Sequence, residues 1–355
     1  MKKYFWLLAC LIASSVFVSC GDDDDPVIPY IPSSSSTTMY FLNEGAWNLP
    51  NSASLCAYDT EAGTVSVMDA ATAVIGDTPN DIIAADGKLY VACWGSQGLL
   101  VADANYAAAE PKFVSLDEQP RYMAYKSPYL YISCYGGRVL RYNTKSGDIS
   151  TLQTTGGNLE GIAIVGNQLF VCNSHNVDAS YNYTYNSDLV VIDLSTFTQT
   201  GTISTVTNPN YIFALNGKLY VLGFGNYDDA GYMVAEVDPA AATSTDIVAG
   251  SKFCTWNGNV LIVNSETDWS TYAVTTSAKL YNPAGGSTTS VTLPQAVVGS
   301  TVYMAAEDPD SHDLYLSTTD YSTTGKIYRI GSDLSTLDVF SSEGINPSRA
   351  AFVTK

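Results

Sequence analysis

The stretch Pro79-Asn80-Asp81-Ile82-Ile83-Ala84-Ala85-Asp86-Gly87-Lys88-Leu89-Tyr90-Val91-Ala92 decides the fold of this chain. It reads as a Pro-x-x entry, an apolar strand, a Gly turn and a Leu-Tyr-Val strand. The same grammar returns at Pro120-Arg121-Tyr122-Met123-Ala124 with Leu130-Tyr131-Ile132, at Gly161-Ile162-Ala163-Ile164 with Leu169-Phe170-Val171, and at Pro209-Asn210-Tyr211-Ile212 with Leu219-Tyr220-Val221. Worn copies run from Phe253 to Val260-Leu261-Ile262 and from Tyr303-Met304-Ala305 to Leu314-Tyr315-Leu316. A last entry, Pro347-Ser348-Arg349-Ala350-Ala351-Phe352, stops one strand short. Its missing partner stands at the other end of the chain, as Met39-Tyr40-Phe41. That makes seven units, one of them split between the termini.

The units repeat every 40 to 55 residues or so, the length of a four-stranded blade with variable loops. Their segments are short, rich in β-branched and aromatic residues, and bounded by Gly, Asn, Asp or Pro. The runs are almost continuously apolar, as expected where neighbouring blades cover both faces of a sheet. No stretch after residue 36 carries a long helical period. The expectation is an all-β, seven-bladed β-propeller of four-stranded blades over residues 37–355. In the split blade, strand 347–353 pairs as the innermost strand with 38–42, 54–59 and 64–68. Closing the ring removes sheet edges that would otherwise pair with other chains.

Residues 1–19 read as a secretory signal peptide: Lys2 and Lys3, an apolar run from Tyr4 to Val18, then a small residue before Cys20. Phe17-Val18-Ser19-Cys20 resembles a bacterial lipobox, whose Cys becomes the lipidated N-terminus. Residues 20–36 form a linker. Asp22 to Asp25 stay solvated, as either an export tag or plain spacer, and the Pro/Ser-rich remainder holds the propeller off the lipid surface. Membrane contact is expected through that lipid only. The net charge of −19 argues against nucleic acid and anionic membrane surfaces as partners. Once Cys10 and Cys20 are set aside, Cys56, Cys93, Cys134, Cys172 and Cys254 show no metal spacing and read as buried free thiols.

In a propeller, the turns entering the innermost strands and the loops after the Leu-Tyr-Val strands share one face, and here that face holds the irregular sequence. The candidate ligand-binding set is Asn43, Glu44, Trp47, Asn80, Trp94, Arg121, Tyr135, His175, Tyr183, Asn210, Phe224, Tyr227, Trp269, Tyr272, Tyr321 and Arg349. Rings among Asn, Asp and Glu suit a large flat amide-bearing ligand or a sugar. The same rings could instead pack loop against loop. Arg121, Lys252 and Arg349 are scarce cations near the expected axis, facing either a ligand or neighbouring acids. His175 could touch a ligand or a metal, whereas His312 sits in a run that turn chemistry accounts for. No catalytic or metal-binding set is assigned, and no cofactor is required.

The Leu-Tyr-Val repeats resemble the YncE-like, YVTN-type seven-bladed propellers. The opening Phe41-Leu42-Asn43-Glu44-Gly45-Ala46-Trp47, followed by Ser54-Leu55 and Tyr58-Asp59, is similar to a lipoprotein subgroup of Bacteroidetes, the domain-of-unknown-function 5074 type. That resemblance implies a non-catalytic lipoprotein exposed on the outer membrane. It would capture vitamin B12 or another corrinoid and pass it to a TonB-dependent outer-membrane transporter. The alternative is a protein- or glycan-binding scaffold, since fold alone does not choose. An enzyme of lactonase, lyase or quinoprotein type would need a metal cluster, a His-based acid/base set or a cofactor-docking motif. Two unrelated histidines do not supply these, although Glu44, Glu160 or Asp81 could hold calcium.

Overall fold

In the computed structural model, residues 37–46, 49–105 and 110–354 are described. They form seven antiparallel four-stranded sheets. Blade 1 comprises Pro79–Ala85, Lys88–Cys93, Gly98–Asp103 and Lys112–Ser115. Blades 2 to 6 follow in the same order, their first strands at Pro120–Lys126, Asn158–Val165, Pro209–Leu215, Lys252–Trp256 and Thr301–Glu307. Blade 7 is the split one: Pro347–Thr354 pairs with Thr37–Asn43, which pairs with Ser54–Asp59 and then Thr64–Val67. Its register sets Met39 opposite Phe352 and Phe41 opposite Ala350, so the two ends of the chain close the ring.

The Leu-Tyr-Val motif is the packing code between blades. Successive strand residues point to opposite sheet faces, so Leu and Tyr serve different interfaces. Leu89 packs in the cluster shared with blade 7, and Tyr90 in the cluster shared with blade 2. Leu130 and Tyr131, Leu169 and Phe170, Leu219 and Tyr220, and Leu314 and Tyr315 divide in the same way. Met39 and Tyr40 do so in blade 7. All twelve are buried, each worth about 1.5–3 kcal/mol of apolar transfer. Among the described residues there are seven such clusters, one per blade junction.

The turns on one face are short. Asp86-Gly87, Asn216-Gly217 and Asn257-Gly258 all have positive φ at both residues, the geometry of a two-residue hairpin turn that suits twisted strands. The five cysteines are free and buried, as expected. Two short helices, Asp69–Ile75 and Gln295–Val298, were not expected. Two turns are too short to register as a helical period. Asp69–Ile75 is held by burying Ala71 and Ile75 at the junction of blades 7 and 1. The leader, the linker, Cys20 and Trp47 lie outside the described residues.

Candidate functional site

The opposite face carries the long loops, and a repeated backbone irregularity builds its centre. In six of the seven blades the pairing register shifts at the start of the first strand: after Pro79, Pro120, Leu159, Pro209, Val302 and Pro347. Proline suits a strand's first position because it needs no ladder donor there. The extra residue of each bulge re-aims the side chains that follow. Thr78, Asn208 and Asn346, each just before a proline, turn with φ between 53° and 59°. Blade 5 has no proline at its entry and keeps a regular register.

The bulges bring six positions around one funnel of about 290 Å³: Asn80, Arg121, Tyr122, Glu160, Asn210 and Tyr211. Its floor is a layer of cations and tyrosines. Arg349 lies 4.2 Å from the Tyr211 ring centre and 4.9 Å from that of Tyr122. Lys252 sits 5.0 Å from Tyr211 and 4.8 Å from Tyr303, and the Tyr122 and Tyr211 rings meet edge-on at 5.4 Å. Contacts of this kind between desolvated cations and rings contribute up to about 2 kcal/mol each. Beside the layer is a second cavity of about 320 Å³, also lined by Tyr122 and Tyr211, where Asp81 and Arg349 join the apolar side chains of Ile83, Ile162 and Phe213.

The funnel's charges are matched locally. Arg121 Nε donates to Glu160 Oε2 at 2.8 Å, and the Tyr135 hydroxyl donates to the other oxygen, also at 2.8 Å. The Tyr303 hydroxyl donates to Glu44 at 2.7 Å. Asp81 accepts the Met123 N–H at 2.8 Å and lies 3.9 Å from Arg349. Burial pushes the Asp81 carboxyl up to about 6, against the pull of Arg349. Burial likewise raises Tyr211, but Lys252 and Arg349 outweigh it and hold this phenol below its ordinary value. Burial also lowers His175, the reverse of what nearby Glu160 does. Glu44, Glu160 and Asp81 therefore hold three different partners. Among the described residues no three His, Cys, Asp or Glu side chains come together in a metal-holding group.

From this floor a chain of ring contacts climbs to the rim across four blades. Trp94 meets Tyr135 (6.3 Å), Tyr135 meets His175 (5.8 Å), and His175 meets Tyr183 (5.3 Å). Tyr183 stacks on Tyr185, which meets Tyr227, then Tyr232, then Phe224, and Phe224 returns to Tyr211 at 5.5 Å. His175 is oriented by Ser174 at Nδ1 (2.8 Å) and Asn158 at Nε2 (3.0 Å).

Several rim aromatics stand at loop tips and are exposed: Tyr181, Tyr227, Trp269, Tyr272 and Tyr321. Four of them, Tyr181, Tyr227, Tyr272 and Tyr321, have φ between 58° and 65°, a conformation that bulky residues rarely adopt. Each tip is pinned by an Asp or Asn that folds back on the backbone. Asp320 accepts the Ser322 and Thr323 N–H groups at 2.9 and 2.7 Å, and Asp178, Asn226 and Asp268 act alike. In blades 3 and 5 the second strand runs ten residues instead of six, so its hairpin stands about 13 Å taller.

Of the sixteen candidate residues, nine line the funnel: Glu44, Asn80, Arg121, Tyr135, His175, Tyr183, Asn210, Phe224 and Tyr227. Arg349 lines the second cavity and touches the Tyr122 and Tyr211 rings that the two cavities share. Trp94 lines a neighbouring recess of about 370 Å³ with Glu44 and Tyr303. Trp269, Tyr272 and Tyr321 are elsewhere, over blades 5 and 6. Asn43 is a correction. It is wholly buried, with its amide donating to Ser54 Oγ (2.9 Å) and to the Ser342 carbonyl (2.8 Å), because the last residue of its strand turns inward to fasten blade 7 to blade 6. Tyr122, Tyr211, Tyr232 and Tyr303 were missed. The first two follow Pro-x in the entry turns, a signal visible in the sequence once the bulge is expected. His312 sits in a turn, as expected, its N–H donating to the Asp308 carbonyl at 2.9 Å, and its ring also meets Glu307 at 2.8 Å.

No protein-family profile and no curated protein matches this chain. Solved structures of similar architecture include the hydrazine synthase of Kuenenia stuttgartiensis, at 15% identity, 77% of this chain, 89% of the other and a TM-score of 0.63. A candidate 6-phosphogluconolactonase of Bacteroides uniformis aligns at 10% identity over 90% of this chain and 99% of its own, TM-score 0.62. Another, from Bacteroides fragilis, aligns at 12% over 93% and 100%, TM-score 0.62. Identities this low carry architecture and no activity, and together with the seven closed sheets they make this chain a seven-bladed β-propeller.

Proposed function

We propose that this propeller is a non-catalytic capture protein that holds a corrinoid, vitamin B12 or a relative, across the mouth of the funnel. The observation that carries the reading is the unbroken belt of rings from Trp94 to Phe224, set beside buried amides. A corrinoid offers a flat apolar edge for stacking and peripheral amides for hydrogen bonding. Its macrocycle is larger than the funnel of about 290 Å³ admits. The ligand would therefore lie on the belt, with one amide reaching down. The Asn80 side-chain oxygen is buried there without a hydrogen-bond partner and can accept that amide's N–H. Glu44, Glu160 and Asp81 are each held by other partners, which favours binding over proton transfer. Lipid attachment at Cys20 would place the protein on the outer membrane beside a TonB-dependent transporter that takes over the ligand.

Titration with cyanocobalamin should change the ligand's absorbance spectrum. Joint replacement of Trp94→Ala and Tyr227→Ala should weaken binding by roughly tenfold or more, as two lost stacking contacts imply. Calorimetry without heat and an unchanged spectrum at micromolar corrinoid would exclude the reading.

A further inference from the structure

Blades 5 and 6 carry a groove of about 750 Å³, larger than the funnel and separated from it by Tyr303, whose ring meets Tyr321 edge-on at 5.8 Å. Three aromatic side chains stand over it: Trp269, 78% exposed, Tyr272, 76%, and Tyr321, 57%. No core accounts for rings this exposed, and their loops are pinned by Asp268 and Asp320. The groove's lining carries two charged residues of opposite sign, Asp320 and Lys326. Both Asp320 oxygens are held within its own turn, by the Ser322 and Thr323 N–H groups and the Thr323 hydroxyl. Lys326 is the remaining charged residue in the lining. The other polar groups are hydroxyls, with Thr267, Thr301 and Thr324 among them.

We propose that this groove is a binding site for a neutral oligosaccharide, distinct from the funnel. A pyranose has an apolar C–H face and a rim of hydroxyls. The face stacks on Trp269 and Tyr272, and the rim exchanges hydrogen bonds with threonine hydroxyls, which both donate and accept. A nucleotide or an acidic glycan would meet Lys326 as the single cation, too little for a phosphate or carboxylate series. The proposal does not depend on the corrinoid reading, because the two sites share no residue.

The full chain is titrated with neutral hexaoses of glucose, mannose and xylose in several linkages, with hexuronate oligomers as charged controls. Tryptophan fluorescence and calorimetry are the readouts. At least one neutral series should bind saturably and shift the fluorescence, and cyanocobalamin should not compete. Trp269→Ala and Tyr321→Ala should each weaken it roughly tenfold or more, Trp269→Phe less, and Tyr181→Ala not at all. Unfolding curves of the variants should match that of the parent, since all three side chains are exposed. No binding up to ~10 mM, binding of the charged oligomers alone, or affinity unchanged by both alanine variants would overturn the proposal.

Discussion

Asp81, in the wall of the second cavity, shows how a single residue bears on the stability of the fold. Its side chain is 14% exposed, and burial outweighs Arg349 in pushing the carboxyl up to about 6 from the ordinary 3.8. The folded chain therefore holds a proton that the unfolded chain has already lost between those values. Stability from this group is complete below about pH 4 and is lost as pH rises through 6, amounting to about 3 kcal/mol. Urea unfolding at pH 4.5 and 7 should show this slope, and Asp81→Asn, which cannot ionise, should flatten it. An unchanged slope in the variant would mean that other groups carry the dependence. The sequence placed Asp81 in an entry turn. Its burial and its distance from Arg349 come from opposite ends of the chain and had no local signature.

At the scale of elements, two devices build the loop-rich face. The bulge at six strand entries turns Asn80, Arg121, Glu160 and Asn210 toward the axis. The Asp- and Asn-pinned tips hold aromatic side chains outward at positive φ. A pinned tip keeps a ring in place before a ligand arrives, which lowers the ordering cost of binding. Asp320→Ala should leave the melting temperature almost unchanged, since the loop is exposed, while speeding amide exchange at Ser322 and Thr323 roughly tenfold. Exchange rates equal to the parent's would show that the loop is held by other contacts. Only the first was partly legible: Pro-x-x was visible as an entry turn, but the Asp- and Asn-pinned tips were read only as long loops, and a one-residue register shift leaves no mark in composition or period.

For the whole molecule, closure matters most. Pro347–Thr354 is the innermost strand of blade 7 and supplies partners to both neighbours through Ala350, Ala351 and Phe352. Removing residues 347–355 exposes the edge of Thr37–Asn43 and opens two blade junctions. Such a chain should lose its cooperative thermal transition and self-associate, as size exclusion and melting would show. A monomeric truncated chain with the parent's melting temperature would contradict the closure. A circular permutant joining the present ends through a flexible linker, and opened between blades 3 and 4, should fold, because every blade would remain complete.

The sequence by itself determined the number of blades, the split closure, the burial of both strand faces and the face that carries the long loops. These follow from strand alternation and from a repeat unable to bury its faces alone, both of which act locally. Tertiary structure decided which loop residues meet. Tyr303 reaches Glu44, Lys252 covers Tyr211, and Arg349 sits between Tyr122 and Tyr211 only because the ring brings distant blades to one axis. It also withdrew Asn43 into a blade junction and split the aromatic rim into a funnel and a separate groove. A repeat specifies each blade alike, whereas the bulges, hairpin heights and angular positions that separate those sites arise only when seven unequal blades are packed around one centre.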